Sequence, residues 1–363
     1  MFDFFGHDPA LRPMEVTYFR ILSFFGFIPL LVTALSCFWS GRGETKMLMA
    51  VNLTVSALNI PLNALLIFGL EIGFLRIPSM GISGAAYGTI LADAAGIVIM
   101  MCPLFFSKRN IAKYRTWNAR PDRDMFPRLF KFGGPNGIQL FLDLAAFNAF
   151  VVLLGKISQD VLNASGVAFA MNSLAMIPMF GLGQTVSILV GQGIGAEDIP
   201  YAERAVKSAR FLLYLVLFAV AVLFAVYPEP ALLLFSLKPG TNAFSLARIM
   251  FKFLVAYFLC DASSILYGCA VKGAGDTKFS MWIGASYAWL LFGFPCFIVF
   301  WLFTRSPLAA MLGPERADAW NLWTLWSICV FYDMALAVTF YLRYRGGKWK
   351  SMKVIEDQQD ARS

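Results

Sequence analysis

Nine apolar runs, each roughly 20 residues long, recur along this chain near 16–38, 46–70, 84–106, 135–155, 163–190, 206–227, 243–270, 279–303 and 319–342. A run of that length crosses a hydrocarbon core as a helix, because lipid offers no partners for an open backbone and only a helix satisfies its own amides within one segment. None of the runs alternates in the ten-residue pattern of a membrane barrel. Hydrophobic residues make up 59% of the chain and charged residues only 14%, against about a quarter in a soluble domain, so the expected fold is all-α and polytopic.

Lysine and arginine fix the orientation of such a chain, since short basic loops resist translocation. Most of them gather in alternate loops: with Arg42 and Lys46, between Lys108 and Lys131, around Lys207, around Lys272, and after Arg343. The opposite loops hold only Arg12, Arg76, Lys156, Lys238, Arg305 and Arg316. The asymmetry puts Met1 outside and the C-terminus in the cytoplasm of an inner (plasma) membrane protein. It also accounts for the net charge of +8 without nucleic acid as a partner.

Two segments are near copies. Ser40-Gly41-Arg42-Gly43-Glu44-Thr45-Lys46 and Lys272-Gly273-Ala274-Gly275-Asp276-Thr277-Lys278 each separate one apolar run from the next. Their upstream neighbours also correspond, Phe4–Pro9 with Phe235–Thr241, and the span ending at Cys37 with that ending at Cys269. A repeat that keeps register across whole spans marks a transporter built from two related halves. Symmetry then predicts three further spans ahead of Met1, and a truncated gene product or a start-site error is the expectation. The division expected is 1–106 as a shortened first lobe, 107–131 as a cytoplasmic linker, 132–345 as a six-span second lobe and 346–363 as a basic cytoplasmic tail.

Several classes are disfavoured. His7 is the single histidine and lies outside the runs, so neither a histidine metal site nor a histidine-based triad can be assembled, and no nucleophile–base pair for an enzyme stands out. The six cysteines fall in or beside the runs without metal-type spacing and are expected as free thiols.

Chemistry is expected where a carboxylate is kept in lipid, since each costs about 2.5 to 3.5 kcal/mol on insertion scales. Asp93, Asp143, Asp261 and Asp333 are such residues. Asn136, Gln139 and Asp143 share one helical face; Tyr257, Asp261, Ser264 and Gly268 share another. Either face could border a water-filled cavity, with Asp93 and Asn172 as further lining candidates, or each acid could be tied to a buried base such as Arg248 or Lys252. Asp333, under Trp320, Trp323 and Trp326, reads more simply as a structural acid beneath an interfacial belt. Asn59 and Asn63 are expected to satisfy the backbone around Pro61, and Pro29, Pro178 and Pro295 to bend their helices.

The chain resembles the multidrug and toxic compound extrusion (MATE) family. The residues that carry the likeness are Arg42-Gly43-Glu44-Thr45 and Gly275-Asp276-Thr277, Leu58-Asn59-x-x-Leu62-Asn63 with Ile67-Phe68-Gly69, Gly81-x-x-Gly84-Ala85-Ala86, and Gly191-Gln192-x-Ile194-Gly195-Ala196. The resemblance implies a two-lobe helix bundle, of which about nine transmembrane helices are present, and a monomer. It implies an antiporter that exports amphipathic or cationic small molecules in exchange for Na+ or H+, with no cofactor beyond that ion. Family acids on the seventh and tenth helices match Asp143, eight residues after Pro135, and Asp261, fifteen before Asp276; these two would hold the coupling proton or sodium. The family acid of the first helix has no counterpart. A lipid-linked oligosaccharide flippase of the same superfamily and a non-functional remnant are the alternatives, and membrane lipid is the remaining partner.

Overall fold

The structure, a computed structural model, describes residues 12–72, 75–118, 123, 125–226, 240–305 and 314–352. Phe4–Pro9, most of Phe235–Thr241, Lys238 and the tail beyond Met352 lie outside the described residues. Among the described residues, eight helices are long and apolar enough to cross a membrane, or nine if one bent pair counts as a single span. The chain divides into two units between Pro121 and Asp122.

In the first unit, α1 (Arg12–Phe24) and α2 (Phe27–Gly41) are that bent pair, meeting at 42°. The run expected as one continuous span is broken at Phe25 and Gly26. Pro29 is the physical reason: its ring excludes the carbonyl of Phe25, four residues back, and it has no N–H to offer in return. α3 (Thr45–Phe68) and α4 (Ile82–Phe106) follow, joined through a hairpin the apolar pattern did not foretell. Its strands β1 (Leu70–Ile72) and β2 (Leu75–Ile77) pair antiparallel, with Glu71 opposite Arg76.

Between helices in lipid the hydrophobic effect gives little, so close approach over small residues does the packing. On α4 a Cβ at Gly84 would strike the Leu66 backbone of α3, one at Gly88 would strike Asn63, and one at Gly96 would strike Val55. Asn63 donates to Asn59 Oδ1 (3.0 Å) and Asn59 to Thr89 Oγ1 on α4 (3.4 Å), so the two amides link helices instead of repairing the backbone at Pro61. α5 (Lys108–Tyr114) and a 3-10 turn at Thr116–Asn118 occupy the basic stretch after α4.

The second unit contains α6 (Met125–Ile157), α7 (Gln159–Gly195), α8 (Ile199–Val226), α9 (Asn242–Gly273), α10 (Thr277–Tyr287), α11 (Phe294–Arg305) and α12 (Pro314–Arg345). α9 is central and packs on α7, α8 and α12. Gly183 of α7 faces Ile265 and Cys269 of α9, Gly191 faces the Gly273 carbonyl, and Gly193 faces Ala202 of α8, so these glycines serve close packing. A π-helical turn, Ala288–Gly293, joins α10 to α11 just ahead of Pro295; the wide turn accommodates the carbonyl that a proline cannot partner.

The basic tail does not simply leave the unit. A 3-10 turn at Lys348–Ser351 folds back, with Trp349 only 1% exposed, stacked on Tyr344 at 5.2 Å and donating to the Tyr344 carbonyl at 2.8 Å.

Candidate functional site

α6, α7, α9 and α12, with the π turn, enclose a cavity of about 370 Å³ within the second unit. That volume falls in the range of sites for drug-sized molecules. Much of its wall is aromatic or sulfur-bearing, including Phe147, Phe169, Met176, Phe180, Phe292 and Trp326. The polar groups enter from four helices: Gln139 and Asp143 from α6, Asn172 from α7, Tyr257 and Asp261 from α9, and Asp333 from α12.

Helical spacing sets the pairs. Gln139 lies one turn before Asp143, which brings its amide near that carboxylate. Tyr257 lies one turn before Asp261, yet its hydroxyl lies close to the carboxylate of Asp333, on a different helix. Asp261 and Asp333 are 6% and 4% exposed and lie in each other's field, and Asp333 also feels Asp143. The positive charge that reaches Asp143 is Lys272 of α9, the one base on the cavity wall among the described residues.

The unsatisfied atoms here are of one kind. Gln139 Oε1, Asp143 Oδ1, Asn172 Oδ1, Asp261 Oδ2 and Asp333 Oδ2 are all buried without a hydrogen-bond partner, and all line this cavity. Every one is an acceptor. Buried polar groups are normally paired, so a cluster of such acceptors calls for something that donates: water, a proton, a cation or a cationic molecule.

Most of the residues singled out in the sequence therefore converge: Asp143, Asp261, Gln139, Asn172, Tyr257 and Ser264 all line the cavity. Ser264 does so with its hydroxyl already donated to the Asp261 carbonyl of its own helix at 3.0 Å. Asn136 is not on the wall; its amide donates to the Phe132 carbonyl one turn back at 3.4 Å. Asp93 is half-buried on α4, in the other unit. Of the bases weighed as partners, Arg248 is exposed, and the Lys252 side chain lies outside the described residues. Among the described residues no three His, Cys, Asp or Glu side chains are arranged to hold a metal ion.

Asp333 is the residue the sequence pattern misjudged. Its own helical face presents Trp326, Cys329, Leu336 and Phe340, without a polar stripe to mark a cavity. The hydroxyl beside it, that of Tyr257, comes from α9, 76 residues away in a chain that must fold before the two meet. Lys272 was hidden differently, inside a repeated loop whose charges read as topology.

A polytopic helical protein with an apolar, acid-dotted cavity of this size has the build of a membrane protein that handles small molecules. The MatE family model matches residues 1–65 and 135–298. A probable multidrug resistance protein NorM from Mannheimia succiniciproducens is 26% identical over 94% of this chain and 70% of its own length. Another from Pasteurella multocida is 24% identical over 80% of this chain. The match spans 62% of that relative's length. A solved outward-facing multidrug resistance MATE family transporter of the MOP superfamily superposes with a TM-score of 0.77 at 18% identity, covering 95% of this chain and 72% of that one. The chain belongs to the MatE family of multi-pass membrane transporters.

Proposed function

We propose that this protein is a secondary antiporter that exports amphipathic, cationic small molecules in exchange for Na+ or H+, with its basic C-terminal end in the cytoplasm of the inner membrane. The observation that carries the reading is the set of orphan acceptors around one drug-sized cavity. Asp143 and Asp261 take the coupling ion, and Asp333 joins them through Tyr257. A cationic cargo and the ion compete for the same oxygens. Because the two occupants favour different conformations by different amounts, an ion gradient drives cargo outward. Aromatic walls bind the flat apolar part of a cargo and attract its charge.

Against the lipid-linked oligosaccharide alternative stands the charge of the wall. A pyrophosphate would have to enter beside three carboxylates with Lys272 as the only base among the described residues.

The test is dye efflux from membrane vesicles carrying the protein, with a Na+ or an H+ gradient imposed separately. Ethidium movement should follow one gradient. Asp143→Asn and Asp261→Asn should each cut the gradient-driven component at least tenfold while leaving the amount of folded protein unchanged. Undiminished transport in both variants would remove the assignment.

A further inference from the structure

A second hollow, of about 160 Å³, opens at the end of the second unit where α8 begins and α12 finishes. It is lined by Lys207 and Arg210 of α8, Tyr267 of α9, and Tyr341, Tyr344 and Arg345 of α12. We propose that it binds a phosphate group, carried by an anionic lipid headgroup or by a free phosphate or phosphorylated solute.

Charge placement is the first argument. Lys207 and Arg210 share one face of α8, and Arg345 comes from α12, so cations from two helices distant in sequence border one space. No carboxylate lines it among the described residues. The acids near this end are engaged elsewhere: Glu203, within the field of Lys207, is ion-paired to Lys350, and Asp276 is held by Arg343 at 2.7 Å. The folded-back turn anchored by Trp349 brings Lys350 to Glu203, so that acid is ion-paired to a base outside the hollow's lining.

Donor geometry is the second. Arg210 Nη1 donates to the Tyr267 hydroxyl at 3.5 Å, which aims its planar fork. The Tyr267 ring packs edge-on against Tyr341 at 5.2 Å and lies tilted 5.3 Å from Tyr344. Phenol hydroxyls, an ammonium and guanidinium forks suit the several oxygens of a phosphate better than a single carboxylate. The space is smaller than sites that enclose drug-sized molecules, so it fits one such group and not a whole cargo.

Basic residues at span ends also set topology, but that role needs only their number on one side. It does not require them to surround a hollow together with three tyrosines. The ends of the spans are also the level at which lipid phosphates lie.

Native mass spectrometry of the detergent-purified protein with phosphatidylglycerol or phosphatidylcholine tests the lipid source, and titration with inorganic phosphate after delipidation tests the free one. Selective retention of phosphatidylglycerol, reduced about tenfold by Arg210→Gln with Lys207→Gln, supports the site with lipid as its occupant. Saturable phosphate binding lost in the same variant supports it with a soluble occupant. Arg210→Lys keeps the charge and the topology but loses the fork, and should give a partial loss of several-fold. Binding of both probes at wild-type level in all variants, or no preference for phosphatidylglycerol together with no phosphate binding, would overturn the proposal.

Discussion

The two copies of the repeated turn share a backbone and differ in what their side chains hold. After α2, Gly43 has φ +73° and Glu44 sits at φ −81°, ψ 57°; after α9, Gly275 has φ +92° and Asp276 sits at φ −80°, ψ 52°. In both, the glycine N–H returns to the carbonyl three residues back at 2.9 Å, and the acid's N–H returns five back, at 3.1 and 3.2 Å. That is a Schellman ending, which needs the left-handed residue that glycine supplies most cheaply. The acids then part company. Glu44 is bound by its neighbour Arg42 at 2.6 Å, and Arg42 lies in a box of Phe38, Trp39 and Tyr114 and also donates to Asn110. Asp276 receives Arg343, from the far end of α12, at 2.7 and 2.8 Å. A local sequence motif fixes the turn; whether that turn becomes a long-range tie depends on a residue the motif does not contain.

The largest expected contrast is at the last helical residue of each copy. A Cβ at Gly273 would collide with the Ser187 backbone of α7, whereas one at Gly41 meets nothing within 4 Å. Gly273→Val should therefore cost about 3 kcal/mol by overpacking, and Gly41→Val well under about 1 kcal/mol, read as thermal unfolding in detergent. Equal effects would mean that the two turns do not differ in packing. Next in size is the acid itself. The Asp276 side chain is 9% exposed and that of Glu44 42%, so Asp276→Asn should lose about 2 kcal/mol by stranding Arg343, while Glu44→Gln stays below about 1 kcal/mol. Gly43→Ala and Gly275→Ala should cost alike, about 1 kcal/mol each, because both occupy the same positive-φ position. The smallest effect is Arg42→Lys, about 0.5 to 1 kcal/mol for exchanging a stacked guanidinium in its aromatic box.

Spans were legible because a helix in lipid has to be apolar along its whole length, and the repeat was legible because it keeps register. The faces of Asp143 and Asp261 could be read as well, since each has its polar neighbours on its own helix. What stayed hidden is contact between helices. Asp333 has Tyr257 of another helix beside it, and the Asn63–Asn59–Thr89 chain joins α3 to α4 across 30 residues of sequence. Asn136 shares a face with Gln139, but its amide donates to its own helix backbone and it is not among the residues lining the cavity. The bend itself was legible from Pro29; its place, at Phe25 and Gly26, follows from the carbonyl four residues before that proline.

The wide turn at Ala288–Gly293 changes the phase of everything that follows it. One surplus residue turns the later part of a helix by about 100° relative to an unbroken one. Gly284 presses against Gln139 ahead of the turn, while Ala288 and Phe292 within it line the cavity. Removing a single residue from this segment would swing α11 by nearly a third of a revolution and replace the aromatic ring on that wall with whatever happened to follow.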